Sequence, residues 1–401
     1  MQNGATHNHL SHKLPHRSVF LAALAIAFCL LGDQALYSVL PIHFQKLGLL
    51  PYQVGILLSA NRWIRLLTNH LAEKLTRLID PLILFPASLV LGAILTVSYG
   101  TFSLFVFLLG ARLLWGFSWS CQRQIGVMTS VAGSTADSTA RSIGIFNGIV
   151  RIGSVGGLFM GALLYDTLGF TRAFLILAAI SIPSIPLGFV SQKMRLSTDR
   201  LPHSEEKSNP IAQFKFIFFA GFVIGCVGPG LIASTLGYIL KEQVGDTLTV
   251  MTVVVGIATI NGLLLSSQSL INTLGAPFLG VYLDWFGHQR GTLLFFSIAT
   301  CALAGAVIAT NAIILMLLVL LYFICEAAIP IMLYSRAGRD GPKTLAAMAT
   351  FSDLGAAVGP IVGWTVLEFI TLPKITFIIG AVLYGLATVL SLREFSKINT
   401  L

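Results

Sequence analysis

Long apolar runs alternate with short polar segments along this chain. About 20 residues, each rising about 1.5 Å along a helix, cross a hydrocarbon core of about 30 Å, so a run of this length predicts a membrane-spanning helix. Twelve runs qualify, at residues 18–40, 53–76, 82–101, 103–125, 142–166, 172–192, 213–240, 250–279, 290–310, 312–335, 344–370 and 373–393. The eighth run is over-long, so we expect its helix to begin near residue 258, after an interfacial segment.

A polar connection from about residue 192 to residue 210 divides the runs into six and six. Short motifs repeat on its two sides. Gly32–Pro41 resembles Gly228–Gly237, and Ser130–Gly133 resembles Ser335–Gly338. The pattern predicts an all-α membrane protein made of two similar halves. The predicted division is a tail at 1–17, an N-terminal six-helix bundle at 18–192, a linker at 193–211, a C-terminal six-helix bundle at 212–393 and a tail at 394–401.

Composition and charge agree with a membrane protein. Hydrophobic residues make up 55% of the 401 and charged residues only 10%, which excludes an ordinary soluble domain. The net charge of +9 would suggest a nucleic-acid partner in a soluble chain, but here the positive-inside rule explains it, and no nucleic acid is expected. With both termini in the cytoplasm, sixteen Lys and Arg residues fall on the inner side, and the outer loops hold only Lys46, Arg172, Lys241 and Lys374. We therefore predict a multi-pass protein of a bacterial cytoplasmic (inner) membrane, with both termini cytoplasmic.

A polar motif separates the eighth run from the ninth. It holds Gly280, Asp284, Gly287 and Arg290 in the spacing Gly-x3-Asp-x2-Gly-x2-Arg, which resembles the signature loop of major facilitator superfamily transporters. A weaker copy about half a chain earlier holds Glu73, Lys74 and Arg77. The resemblance implies 12 transmembrane helices in two pseudo-symmetric six-helix bundles that work by alternating access. It also implies that these two loops act as gates that latch one conformation.

Charged residues also occur deep inside the apolar runs. Arg62, Arg112, Arg151 and Asp353 each lie about nine residues into a run, hence near the membrane midplane. An ionised group there costs at least about 2.5–3.5 kcal/mol, so it should face an aqueous cavity or a partner. Arg65 lies four residues from Asn61 and from Asn69, Asn147 lies four residues from Arg151, and Gln268 lies four residues from Asn272. Such stripes either line a cavity or hold helices together. We predict a substrate site formed by Gln34, Tyr37, Arg62, Arg112, Asn147, Arg151, Gln268 and Glu326.

A second resemblance concerns proton coupling. Arg112 and Gly116 resemble the fourth-helix Arg-x3-Gly motif of proton-coupled members, and Asp33 lies in a Gly32-x7-Leu40-Pro41 pattern similar to that of the drug:proton antiporter branch. Burial favours a neutral carboxyl and a nearby arginine favours an ionised one, so substrate or conformation can switch such a proton. We assign coupling to Asp33, Arg112 and Asp353, with Asp33 as the titrating group and Arg112 tuning it. A purely structural Asp33–Arg112 salt bridge remains an alternative.

The fifth run departs from the antiporter pattern. Where the family has Gly-x3-Gly-Pro-x2-Gly-Gly, the chain keeps Gly156 and Gly157, but Gly153 replaces the proline and Arg151 intrudes. This departure argues against an ordinary drug exporter and favours a specialised substrate.

The charges suggest which substrate is carried. Arginine side chains suit carboxylate and phosphate groups, so we favour a small organic anion, with a polycarboxylate or siderophore-like metabolite as a candidate. The alternative is a multidrug or amphipath proton antiporter that exports lipophilic or zwitterionic compounds. The chain has no nucleophile elbow, phosphate loop or metal-protease motif, so we expect a transporter and not an enzyme, with no cofactor and no metal. The expected partners are a small-molecule substrate, the proton and the lipid bilayer, and the protein is expected to act as a monomer.

Overall fold

The computed structural model describes residues 15–135, 138–195, 215–250, 252–286, 288–339, 341–370 and 372–399. Nearly all of them are helical, which confirms the all-α prediction. The helices are α1 (Arg17–His43), α2 (Pro51–Leu78), α3 (Pro81–Thr101), α4 (Phe105–Ala132), α5 (Thr139–Leu168), α6 (Phe170–Ser181), α7 (Ser184–Lys193), α8 (Lys215–Gly225), α9 (Ala233–Val244), α10 (Ile257–Phe286), α11 (His288–Ile308), α12 (Ala312–Arg339), α13 (Pro342–Phe369) and α14 (Ile375–Asn399).

Two of the predicted spanning helices are interrupted. The sixth consists of α6 and α7, which are separated at Ile182 and Pro183. Pro183 and Pro186 have no backbone N–H to donate along the helix, which accounts for this break, while Ile182 and Pro183 keep right-handed helical angles. The seventh consists of α8 and α9 joined by a π-helical turn, Cys226–Ile232, around Pro229. Hydropathy does not register either interruption, because the flanking residues remain apolar.

The segment before the eighth spanning helix is a short β-hairpin. Strands β1 (Thr247–Val250) and β2 (Val253–Gly256) pair antiparallel, with Thr247 opposite Gly256. Helix α10 begins at Ile257, next to the expected start near residue 258. The apolar residues of β2 are β-branched valines, which favour a strand, and they had merged with the helix in the hydropathy pattern.

Within the described residues, nine helices are long and apolar enough to cross a membrane. Together with the twelve-helix arrangement, this confirms the predicted fold class. In the N-terminal half, Gly153, Gly157 and Gly161 of α5 lie against α1 so closely that a Cβ at Gly153 would overlap the Ala27 backbone. In the C-terminal half, Gly355 and Gly359 of α13 approach α8 and the π-helical turn in the same way. These small residues let the backbones pack at short range.

The two halves meet along α5 with α10 and along α2 with α13. We call the end of the bundle where α1 begins and α14 finishes the termini end, and the opposite one the far end. The far end is closed. There Lys241 Nζ donates to the Ile42 carbonyl at 2.9 Å, Asn261 Nδ2 donates to the Ser38 carbonyl at 2.9 Å, and the rings of Phe44 and Trp364 meet edge-on at 5.2 Å.

The gating motifs lie in helices more than in loops. Helix α2 continues to Leu78, and the turn to α3 is only Ile79 and Asp80. Glu73 and Arg77 form an exposed ion pair of 2.5 Å within α2, and Lys74 is exposed beside them. The first motif is therefore the last two turns of a helix at the termini end, which corrects the predicted loop. In the second motif, Gly287 and the side chains of Gly280 and Asp284 lie outside the described residues, and Arg290 is exposed on α11.

Candidate functional site

A cavity of about 430 Å³ lies between the two halves. Small-molecule sites span about 300–1,000 Å³, so this volume suits a metabolite-sized solute. The cavity opens toward the termini end, because the far end is closed and Arg151 and Asp353, which line it, are exposed. Charged and polar lining residues come from both halves: Asp33, Gln34, Tyr37, Asn61, Arg62, Arg65, Arg151, Ser154, Gln268, Ser269, Asn272, Glu326, Ser352 and Asp353.

Arg62 of α2 connects the cavity walls. One guanidinium nitrogen donates to the carbonyls of Ala356, at 2.5 Å, and Pro229, at 3.4 Å, both in the C-terminal half. The Pro229 carbonyl lies in the π-helical turn, where the helical hydrogen-bond pattern is altered. The same guanidinium lies 5.8 Å from the centre of the Tyr37 ring. Arg62 therefore ties the two halves together at the cavity surface.

Arg112 of α4 lies behind the cavity wall. Its side chain is 1% exposed, forms an ion pair with Asp33, and donates to the Leu57 carbonyl at 2.9 Å and to the Tyr37 hydroxyl at 3.1 Å. Arg112 is absent from the cavity lining, whereas Asp33 and Tyr37 belong to it. The predicted direct contact between Arg112 and substrate thus needs correction: Arg112 reaches the cavity only through Asp33 and Tyr37.

Tyr37 and Gln34 complete this wall. The Tyr37 hydroxyl donates to the Leu58 carbonyl at 3.2 Å or to Asn61 Oδ1 at 3.4 Å, so its ring is fixed between α1 and α2. Gln34 Nε2 donates to the second Asp33 carboxylate oxygen at 3.1 Å. Asp33 is 3% exposed and has partners on both oxygens. Any change in its protonation would therefore alter contacts with both α4 and the cavity surface.

The opposite wall carries carboxylates. Glu326 of α12 is buried and accepts a hydrogen bond of 2.9 Å from Gln268 of α10. It lies against Gly228 in the π-helical turn, where a side chain would overlap the carboxylate. Asp353 of α13 is exposed to the mouth. Arginines on the N-terminal side thus face acids on the C-terminal side.

Most of the predicted substrate and coupling residues converge on this cavity. Those that line it are Asp33, Gln34, Tyr37, Arg62, Arg151, Gln268, Glu326 and Asp353. Asn147 does not, because its side chain is exposed one turn nearer the termini end. Asn147 and Arg151 share a helix face because they are four residues apart, but they lie one turn apart along the helix, and only Arg151 is level with the cavity.

Sequence reasoning did not assign Arg65, Trp115, Trp119, Ser269 or Asn272 to the site, although all five line the cavity. The sequence did indicate Arg65 and Asn272, because each lies four residues from another polar residue on the same helix face. The two tryptophans, four residues apart on α4, gave a weaker one, because aromatic residues at that spacing are common in helix cores. Within the described residues, no group of three or more His, Cys, Asp or Glu side chains could hold a metal ion.

Comparison with known families decides the class. The sequence profile of the Major Facilitator Superfamily matches residues 22–360, most of the chain. The chain belongs to this superfamily. It is a membrane transporter and not an enzyme, and the central cavity between its halves is where a superfamily transporter would hold its substrate.

Curated relatives of this superfamily member include synaptic vesicular amine transporters. The rat protein is 31% identical over 160 residues and the human protein 29% over 160 residues. Each match covers 40% of this chain and only 30% of the relative. This chain thus matches less than a third of the length of these relatives, and amine transport is a property of those proteins. The drug:proton antiporter branch stays a prediction.

Solved structures confirm the superfamily fold. A bacterial homolog of the human lysosomal transporter Spinster, in an inward-facing and occupied conformation, has a TM-score of 0.77 at 14% identity and covers 96% of this chain and 98% of its own. The nucleoside transporter NupG has a TM-score of 0.71 at 14% identity and covers 94% and 99%. A bacterial homologue of the iron transporter ferroportin, in an inward-facing state, has a TM-score of 0.67 at 14% identity and covers 94% and 98%. At these identities the likeness concerns the fold alone.

Proposed function

We propose that this superfamily member is a secondary active transporter that moves a small organic anion by alternating access, coupled to protons. One observation carries the proposal. Arg62, Arg65 and Arg151 line the cavity, and none of the three forms an ion pair with a carboxylate in the described part of the chain. Arg112, by contrast, is neutralised by Asp33. The charges of these three guanidinium groups are thus not neutralised by a described ion pair, and their planar forks match carboxylate and phosphate oxygens.

The fixed charge of arginine strengthens this choice. An arginine stays protonated on burial, so the three cationic groups persist at every physiological pH. Glu326 and Asp353 on the opposite wall can each bind or release a proton. With three arginines and two ionised carboxylates the lining carries one positive charge in excess, so a dianion bound together with one proton would balance it. A polycarboxylate or siderophore-like metabolite has the required charge.

A second candidate is the export of an amine or a zwitterion. The similarity to vesicular amine transporters over 160 residues favours it, as do Glu326 and Asp353, which would pair with an ammonium group. Trp115 and Trp119 would give an aromatic contact to such a cation. The two candidates differ in which wall of the cavity holds the charged group of the substrate.

For the coupling site we propose Asp33, which touches both Arg112 and the cavity surface. The excess of Lys and Arg at the termini end supports cytoplasmic termini in a bacterial inner membrane. In that orientation the cavity is open to the cytoplasm. We propose a monomer as the working unit, since each chain forms a cavity of its own.

Proton flux into proteoliposomes tests this function. Liposomes that contain a pH-sensitive dye receive either a pool of organic acids and sugar phosphates or a pool of amines. We expect only the first pool to move protons. Arg151→Gln should abolish the signal, because Arg151 lines the cavity and makes no described bond that the fold requires. Arg123→Gln is the matched control, since Arg123 is exposed and lies outside the cavity lining. A signal from the amine pool alone would establish the second candidate.

A further inference from the structure

The far end of the molecule contains a contact between the halves that the site does not use. Asp166, near the end of α5, accepts hydrogen bonds from the backbone N–H of Thr259, at 2.7 Å, and from the Thr259 hydroxyl, at 2.6 Å. Thr259 lies in the first turn of α10, in the other half. The first N–H groups of a helix have no partner inside the helix. A carboxylate of one half therefore caps a helix of the other.

The surroundings show how closely this contact fits. A Cβ on Gly256, the last residue of β2, would overlap the Asp166 carboxylate. Ile257 and Ala258 beside it are buried, and the Ile257 N–H donates to the Asp246 carbonyl at 2.9 Å. The glycine at the end of the β-hairpin thus leaves room for the Asp166 side chain from the opposite half. Thr259 is 7% exposed, whereas Asp166 is exposed beside it and lines a far-end cavity of about 660 Å³.

The contact also lies where alternating access requires movement. It bridges α5 and α10 at the closed far end, beside the contacts of Lys241 with Ile42 and of Asn261 with Ser38. A carboxylate at a helix N-terminus is favoured both by hydrogen bonding and by the helix dipole. If the far end opens, α5 and α10 separate there, and both Asp166 bonds break.

We propose that Asp166 is the latch that holds the far end closed, and that its release from α10 is a step in every transport cycle. The inference rests on the alternating-access cycle proposed above, but not on the substrate or on the coupling ion. Asp166 is a positioning residue in this account: it acts on the helix it caps, and it lies far from the residues that line the central cavity.

Double electron–electron resonance, which measures the distance between two spin labels, tests the latch. Spin labels at Thr101→Cys and Thr310→Cys, both exposed at the far end of different halves, report its opening in a background whose five native cysteines are alanine. Asp166→Ala should shift the ratio of closed to open molecules about two- to thirtyfold toward the longer distance, the range measured for loss of a helix cap. Gly256→Ala should give the same direction of shift, because the added methyl group displaces the carboxylate without removing its charge.

Glu242→Gln is the control, because Glu242 is an exposed carboxylate on α9, at the same end of the molecule, with no described hydrogen bond or ion pair. It should leave the distance distribution unchanged. Thr259→Val removes only the hydroxyl donor and should give a smaller shift. If Asp166→Ala does not fold, Thr259→Val and Gly256→Ala together test whether this contact holds the far end closed. Unchanged distances in these variants would overturn the latch. Arg151→Gln should lose anion binding with no change in the distances, which separates failure of the latch from failure of the proposed function.

Discussion

The guanidinium of Arg62 donates to the carbonyl of Ala356 at 2.5 Å, across the interface between the two halves and at the surface of the central cavity. A substrate carboxylate that engages Arg62 competes with this carbonyl, and with that of Pro229, for the same donors. Binding at this side chain is thereby connected to the contact that holds the halves together.

Replacing Arg62 by lysine should separate charge from geometry. Lysine keeps the positive charge, but it lacks the planar guanidinium, which places one nitrogen against the Ala356 and Pro229 carbonyls and still has other N–H groups to donate to a carboxylate. The loss of a charge-assisted hydrogen bond corresponds to roughly a tenfold or greater loss of function, so we expect the initial proton flux of Arg62→Lys to fall by about that factor. Arg65→Lys is the matched control, because Arg65 lines the cavity without a described hydrogen bond to the C-terminal half. Equal losses in both variants would contradict a special role for Arg62.

Breaking the buried Asp33–Arg112 ion pair by removing one partner should be strongly destabilising. Arg112→Leu leaves the Asp33 carboxylate buried without its partner, which typically costs about 3–5 kcal/mol. Asp33→Leu combined with Arg112→Leu removes both charges and should be less destabilised than Arg112→Leu alone. Thermal melts of the two single variants and the double variant in detergent give this coupling energy. Additive losses would mean that the two side chains do not interact energetically.

Asp33→Asn should uncouple transport from protons. The amide keeps the shape of the carboxyl but cannot release a proton, so accumulation driven by a pH gradient should be lost. Exchange of internal for external substrate does not require net proton movement and should continue. Uptake of the organic-acid pool is measured in both modes on the same liposomes. Retention of gradient-driven accumulation would remove Asp33 from the coupling role.

Glycine-to-valine substitutions in α5 test the packing of α1 against α5. Gly153→Val should reduce the amount of folded protein severely, because the new side chain would overlap the Ala27 backbone. Gly144→Val, in the same helix, has open space at the Cβ position and should be tolerated. The amount of monodisperse protein that each variant yields after detergent extraction and size-exclusion chromatography compares the two. Similar recoveries would show that the close approach of α1 and α5 is not required.

The sequence predicted the fold well, because a membrane-spanning helix needs a long apolar run and each helix left such a run. It could not show the break at Pro183 or the π-helical turn at Pro229, since neither interrupts the hydropathy. The hairpin before α10 could not be predicted for a related reason: its valines extend the apolar run of the following helix, and hydropathy does not distinguish a strand from a helix. The spacing at Glu73 and Arg77 suggested a loop, whereas the helix continues through it and the two side chains pair along one face.

The sequence predicted most of the residues that form the site, but not how deep in the bundle each of them lies. Charged residues inside apolar runs had to face a cavity or a partner, and Arg62, Arg151, Glu326 and Asp353 all line the cavity. Arg112 met the same requirement by pairing with Asp33, which spacing along a single helix cannot reveal. The contact of Asp166 with Thr259 could not be predicted, because the two residues lie 93 positions apart in sequence.

The central claim, that the arginine-lined cavity binds an organic anion, is tested most directly by a thermal-shift screen of the purified protein. A ligand that binds only the folded state raises the melting temperature. Pools of carboxylates, sugar phosphates, zwitterions and lipophilic cations are compared in wild-type protein, Arg151→Gln and Arg123→Gln. We predict stabilisation by a carboxylate or phosphate pool that Arg151→Gln loses and Arg123→Gln keeps. Stabilisation by lipophilic cations alone, unchanged in Arg151→Gln, would contradict the claim.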